Sequence, residues 1–145
     1  MDSVNGDRGQ ALVVSVLVLA IAAVAIGGLR LAQERILAAA REHRAGEAAA
    51  EAATAVIADA YAAELRRVAE SSASPRPTAD AAGAVTALPT RENARVAASD
   101  MSLQNGAASI DDLSVRCADG AAEVTVVLHG RSYRAGFGAP LCSQR

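Results

Sequence analysis

The hydrophobic pattern changes period along the chain. Residues 10–29 carry no charge, and 11–29 read ALVVSVLVLAIAAVAIGGL, apolar on every side. At ~1.5 Å per residue this run covers roughly 28 Å, close to the hydrocarbon thickness of a bilayer. It predicts a transmembrane helix over residues 10–29, preceded by a short cytoplasmic head peptide, residues 1–9. Two other readings exist. A buried soluble helix rarely runs this long without a polar face. A cleavable signal could use Ala23-Val24-Ala25 as its small-x-small site, but such signals have a shorter apolar core and a more basic head than Arg8 set against Asp2 and Asp7. Retention of the span is the expectation.

Residues 30–71 are Ala-rich and charged, with no proline and with Gly46 the one helix-weakening residue, so the helix is expected to continue through them. Ile57, Tyr61, Leu65 and Val68 recur at spacings of 4, 4 and 3, an apolar stripe that needs a partner surface. Between Ala38 and Ala55 the apolar positions are all alanine. Such a face is too weak to bury alone, and it is narrow enough for close helix approach or for service as a solvated stalk. Residues 72–89 hold Ser72, Ser74, Pro75, Pro77, Gly83 and Pro89 and read as a linker.

Residues 90–145 are expected to form a small α/β head. Residues 90–100 suggest a short helix with Thr90 as N-cap, although Asn93 in place of Glu leaves no capping box. Beyond it the period becomes two. Strands are expected over 112–117, 123–128 and 132–137, with Ala118-Asp119-Gly120 as a turn and another at Gly130. Val124, Val126 and Leu128 alternate with Glu123, Thr125 and Val127, giving one apolar face for the Ile57/Tyr61/Leu65 stripe to cover. The fold class is therefore α+β: a long N-terminal helix, a short helix and a small antiparallel β-meander.

Composition narrows the function. One Phe, two Tyr and no Trp stand within a 52% hydrophobic fraction, which favours helices and thin cores over deep pockets. Net charge is −2 and the basic residues, all Arg, alternate with acids, so no nucleic-acid footprint is expected. No phosphate loop, nucleophile elbow or HExxH pair occurs. His43 lies among charges, His129 ends a strand, and Asp111 and Asp112 start one. No catalytic residue, metal ligand, cofactor or small-molecule substrate is expected, and the chain reads as a non-enzyme.

Cys117 and Cys142 bracket the meander. A disulfide closing a loop of about 25 residues would contribute on the order of 3 kcal/mol in the loop-entropy model and needs an oxidising compartment. The alternatives are two free thiols in a cytoplasmic head, or a zinc site that also draws in His43 and His129. Within the span, Ala23-x-x-x-Gly27 followed by Gly28 is a small-x-x-x-small pattern permitting self-association through the long helix.

Asp7-Arg8-Gly9-Gln10-Ala11-Leu12-Val13, an apolar span, and the charged helix LAQERILAAAREHRAGEAAAEAA together resemble the start of TadE/TadG-like proteins of the tight-adherence pilus system. The resemblance is strongest over residues 7–60. Farther on, ARVAASD, the strand reaching Cys117 and EVTVVL resemble the small high-GC Gram-positive variants. It implies a bitopic, pilin-like membrane protein with an exported C-terminal domain, acting as a minor pilus component or assembly factor beside other pilin-like or platform proteins. In pilin-like members a membrane peptidase cuts after the Gly before the span, which maps here onto Gly9, leaving Gln10 as the new N-terminus. Such pilins usually have Glu at the fifth mature position, where this chain has Val14.

Orientation is contested within the sequence. Arg30, Arg35, Arg41 and Arg44 follow the span and only Arg8 precedes it, which favours a cytoplasmic C-terminal side. The paired cysteines and the family resemblance favour export, and an extracytoplasmic head on a single-pass membrane protein is the expectation. The competing function is a membrane-tethered extracytoplasmic binding module unrelated to a pilus, whose head, around residues 132–141, captures a ligand or another envelope protein.

Overall fold

The computed structural model describes residues 4–75 and 77–142, with side chains from Val13 onward. The architecture is α+β. Helix α1 (Val4–Glu70) is followed by α2 (Ala81–Thr86), α3 (Leu88–Gln104) and strands β1 (Asp112–Ala118), β2 (Ala121–Leu128) and β3 (Arg131–Gly138). The strands form one antiparallel sheet in the order β1-β2-β3. The chain divides into two compact units, Met1–Ala40 and Arg41–Arg145.

In the first unit α1 begins at Val4, upstream of the expected start at Gln10. From position 13 to position 37 its large apolar side chains are between 55% and 77% exposed, uncovered by any of the described residues. Among the described residues this is the one helix long and apolar enough to cross a membrane.

In the second unit the sheet is built by two tight hairpins. Asp119-Gly120 joins β1 to β2 and His129-Gly130 joins β2 to β3, and all four residues have positive φ, as two-residue turns matched to strand twist require. The β1–β2 register sets Val115 opposite Val124, and the β2–β3 register sets Val126 opposite Tyr133. The expected alternation holds: Val124, Val126 and Leu128 are fully buried, together with Ala122.

Ala45, Ala49, Ala50, Ala53, Ile57 and Tyr61 of α1 belong to the same core as these strand residues. Residues 38–40 are exposed, whereas from Ala45 to Ala53 the alanine face is neither a solvated stalk nor a seam awaiting another helix. It is the inner surface of the head, where small side chains let the helix lie close to the sheet. The stripe farther along packs less than its spacing suggests: Ile57 and Tyr61 are buried, Val68 is half-buried, and Leu65 is 39% exposed. Contacts from the sheet side extend to Tyr61, where Phe137 and Leu141 meet it, and Leu65 lies a full turn beyond.

The expected linker over 72–89 is shorter than its composition suggests. Asp80 accepts a hydrogen bond from the Gly83 N–H at 3.0 Å and caps α2. Pro89 falls in the first turn of α3, where the missing N–H has no helical partner to lose. Helix α3 therefore starts before Thr90, and Thr90 is not its cap; its hydroxyl donates instead to the Ala84 carbonyl at 2.9 Å. Ala94, Ala98 and Ser102 line the buried side of α3, and the Ser102 hydroxyl donates to the Ala108 carbonyl at 2.6 Å.

Candidate functional site

Two features carry functional information, and each lies within one unit. The first is the exposed apolar surface of α1. Ala23, Gly27 and Gly28 are exposed on it, and neither glycine has another group within 4 Å of where a Cβ would stand. The helix backbone passes through Gly9 and Gln10, the expected processing point, whose side chains lie outside the described residues.

The second is the closed end of the head. Cys117 and Cys142 form the disulfide, with Cα atoms 4.8 Å apart and Cys142 fully buried. The sulfurs are joined, so neither is free as a thiol or as a thiolate ligand. Backbone bonds support the crosslink. Gly120 N–H donates to Cys142 O at 2.8 Å, Ala139 N–H to Gly120 O at 2.8 Å, and Cys142 N–H to Ala139 O at 2.7 Å. Together they tie the C-terminal segment over the β1–β2 turn. Beside it the Tyr61 and Phe137 rings meet edge-on with centroids 5.7 Å apart, and Leu141 N–H donates to the Tyr61 hydroxyl at 3.4 Å.

At the other end of the sheet Tyr133 stacks over Gly46. A Cβ on Gly46 would overlap the Tyr133 ring, so this position depends on glycine. The His43 ring lies 5.7 Å from the Tyr133 ring, and the Tyr133 hydroxyl is buried without a protein partner among the described residues. His43 pairs with Glu47 at 3.3 Å and His129 with Glu42 at 3.4 Å. Each histidine thus faces a carboxylate, His43 within α1 and His129 from the β2–β3 turn to α1.

Glu64 is the most perturbed acid among the described residues. Arg67 donates two hydrogen bonds of 2.7 Å to its carboxylate and the Asp80 N–H a third of 2.9 Å. Arg67 first, and the Asp80 amide second, lower its pKa from 4.5 to about 2. The outcome is a clasp holding the segment after α1 back against the helix.

The sheet's outer face carries Glu123, within 3.4 Å of Arg116 and 3.7 Å of Arg134. Beside them Ala121, Gly136 and Gly138 help to line an open depression of about 510 Å³. Gly136 is held to glycine because a Cβ would approach the Ala122 carbonyl oxygen to 2.6 Å. Residues 132–141, the expected capture region of a tethered binding head, supply Arg134, Gly136 and Gly138 to this surface, and strand register brings Glu123 and Arg116 beside Arg134.

Comparison with family models, with curated proteins and with solved structures finds no match to this chain. None of the three supports the expected TadE/TadG-like assignment.

Proposed function

We propose that the protein is a single-pass membrane subunit or assembly factor of a tight-adherence type pilus or secretion machine, working by anchoring and helix packing, with its head outside the cytoplasm. The observation that carries this reading is the double use of α1. Residues 13–37 offer an apolar surface uncovered by any of the described residues, while residues 45–61 form the core of a disulfide-closed head. A disulfide persists in an oxidising compartment, which supports an exported head. The alternating polar face and the absence of a motif for bond-making chemistry in the sequence favour a structural role over a catalytic one.

Photo-crosslinking tests the proposal directly. A photoreactive residue at Val24, 77% exposed in the middle of the apolar run, is expected to give adducts with another integral membrane protein or a second copy in native membranes. Lipid adducts alone would refute a packing role. Intact mass after alkylation with and without reductant separates the two forms of the idea. Loss of residues 1–9 indicates a processed subunit, and a retained N-terminus indicates an assembly factor.

The outer-sheet depression favours one second reading, a membrane-tethered binding module. That reading expects Arg134→Ala to abolish capture of an envelope component by the full-length chain while the Val24 crosslinks persist.

A further inference from the structure

The apolar surface of α1 does not stop where the charge-free run stops. Arg30 follows Leu29, and beyond it Leu31, Ile36 and Leu37 are 63%, 68% and 56% exposed, interleaved with Gln33, Glu34 and Arg35. Residues 11–29 cover roughly 28 Å, which fills the hydrocarbon layer, and the next eight residues add about 12 Å, the depth of one headgroup layer and a little more. Segment 30–37 is thus placed where apolar side chains meet the acyl boundary and cations meet phosphate. Among the described residues neither Arg30 nor Arg35 has an ion-pair partner.

We infer that Arg30 and Arg35, about 140° apart around the helix, each bind an anionic phospholipid headgroup, an inference that rests on the membrane-span reading above. Helical side chains lean toward the helix N-terminus, which here is the bilayer side, so Arg35, about 9 Å past Leu29, reaches back toward the phosphates, while Arg30 at the acyl boundary reaches them by extending its long stem outward. Arginine suits this task because its planar fork binds phosphate oxygens in pairs and its stem covers apolar surface. Glu34 lies about 40° around the axis from Arg30 and about 100° from Arg35, so it competes mainly with the first cation and leaves Arg35 free to face lipid. Leu31, Ile36 and Leu37 fix the segment at interface depth, because their exposed apolar surface is removed from water only there.

The test uses the full-length chain reconstituted in phosphatidylcholine bilayers containing phosphatidylglycerol, with spin-labelled versions of each lipid read by electron paramagnetic resonance. The motionally restricted lipid is expected to favour the phosphatidylglycerol label over the phosphatidylcholine label by about twofold or more. Arg30→Gln with Arg35→Gln is expected to bring the ratio to about one, and Lys at both positions to restore part of it. Equal restriction of the two labels in the native chain, or selectivity that survives the double Gln variant, would overturn the inference while leaving the span intact. A native chain that restricts neither label and is extracted by alkaline carbonate overturns the span reading and this inference with it.

Discussion

Gly46 sits where the α1 backbone passes beneath the Tyr133 ring, and Tyr133 is only 7% exposed, so the ring has little room to retreat. Gly46→Ala would ordinarily strengthen a helix by about 1 kcal/mol. Here the added methyl overpacks the interface, a cost of about 1–3 kcal/mol that outweighs the propensity gain. A lower urea midpoint, followed through tyrosine fluorescence of the full-length protein in detergent, is the expected outcome; a higher midpoint would show that the ring moves freely. At Glu64 the prediction concerns pH. Its carboxylate pKa is lowered in the folded state to about 2 from 4.5, so the folded chain binds fewer protons than the unfolded one between those values. The contribution is present in full above about pH 4.5 and is lost as pH falls toward 2. Glu64→Gln should therefore lower the urea midpoint at pH 6, with the difference from wild type closing as pH approaches 2. A difference independent of pH would assign Glu64 a purely steric role.

Among the elements, the three-stranded sheet depends most on help from outside itself, because a sheet of this size needs a covered face. Helix α1 covers it, and the disulfide fastens its C-terminal segment. Removing the crosslink by Cys142→Ser is expected to cost about 2–5 kcal/mol and to leave a polar group at a fully buried position. Measured by urea titration with and without reductant, the wild type should fall toward the variant only when reduced. The strands were legible because period-two alternation and an Asp-Gly turn are local signals, and Val124, Val126 and Leu128 needed nothing else to be placed. Helix α2 was not, because Gly83 and Pro89 look like breakers until Asp80 is seen capping one helix and Pro89 opening the next. The alanine face was underestimated for a related reason. Alanine buries little surface, so a run of it reads as a weak face, and only the large residues opposite, such as Tyr133, reveal that the interface wants small side chains.

At the scale of the molecule, composition and the long apolar run made the single candidate span legible, and the two cysteines announced their pairing. The outer-sheet depression was legible in part: residues 132–141 form the expected capture region, whereas Glu123 and Arg116 join Arg134 only through strand register. The span itself is open to a test based on depth. Val18 lies near the middle of the charge-free run and is 58% exposed, uncovered by any of the described residues. In water, Val18→Arg on such a helix would be harmless or would improve solubility. In a bilayer an arginine at the centre costs about 2.5–3.5 kcal/mol on insertion scales, whereas one at the interface costs far less because its stem reaches to the headgroups. The expected result is that Val18→Arg shifts a large part of the protein from the carbonate-resistant membrane fraction to the soluble or degraded one, while Leu31→Arg leaves the distribution unchanged. If both variants fractionate like wild type, the apolar run does not cross a bilayer, and its exposed surface must be covered by protein.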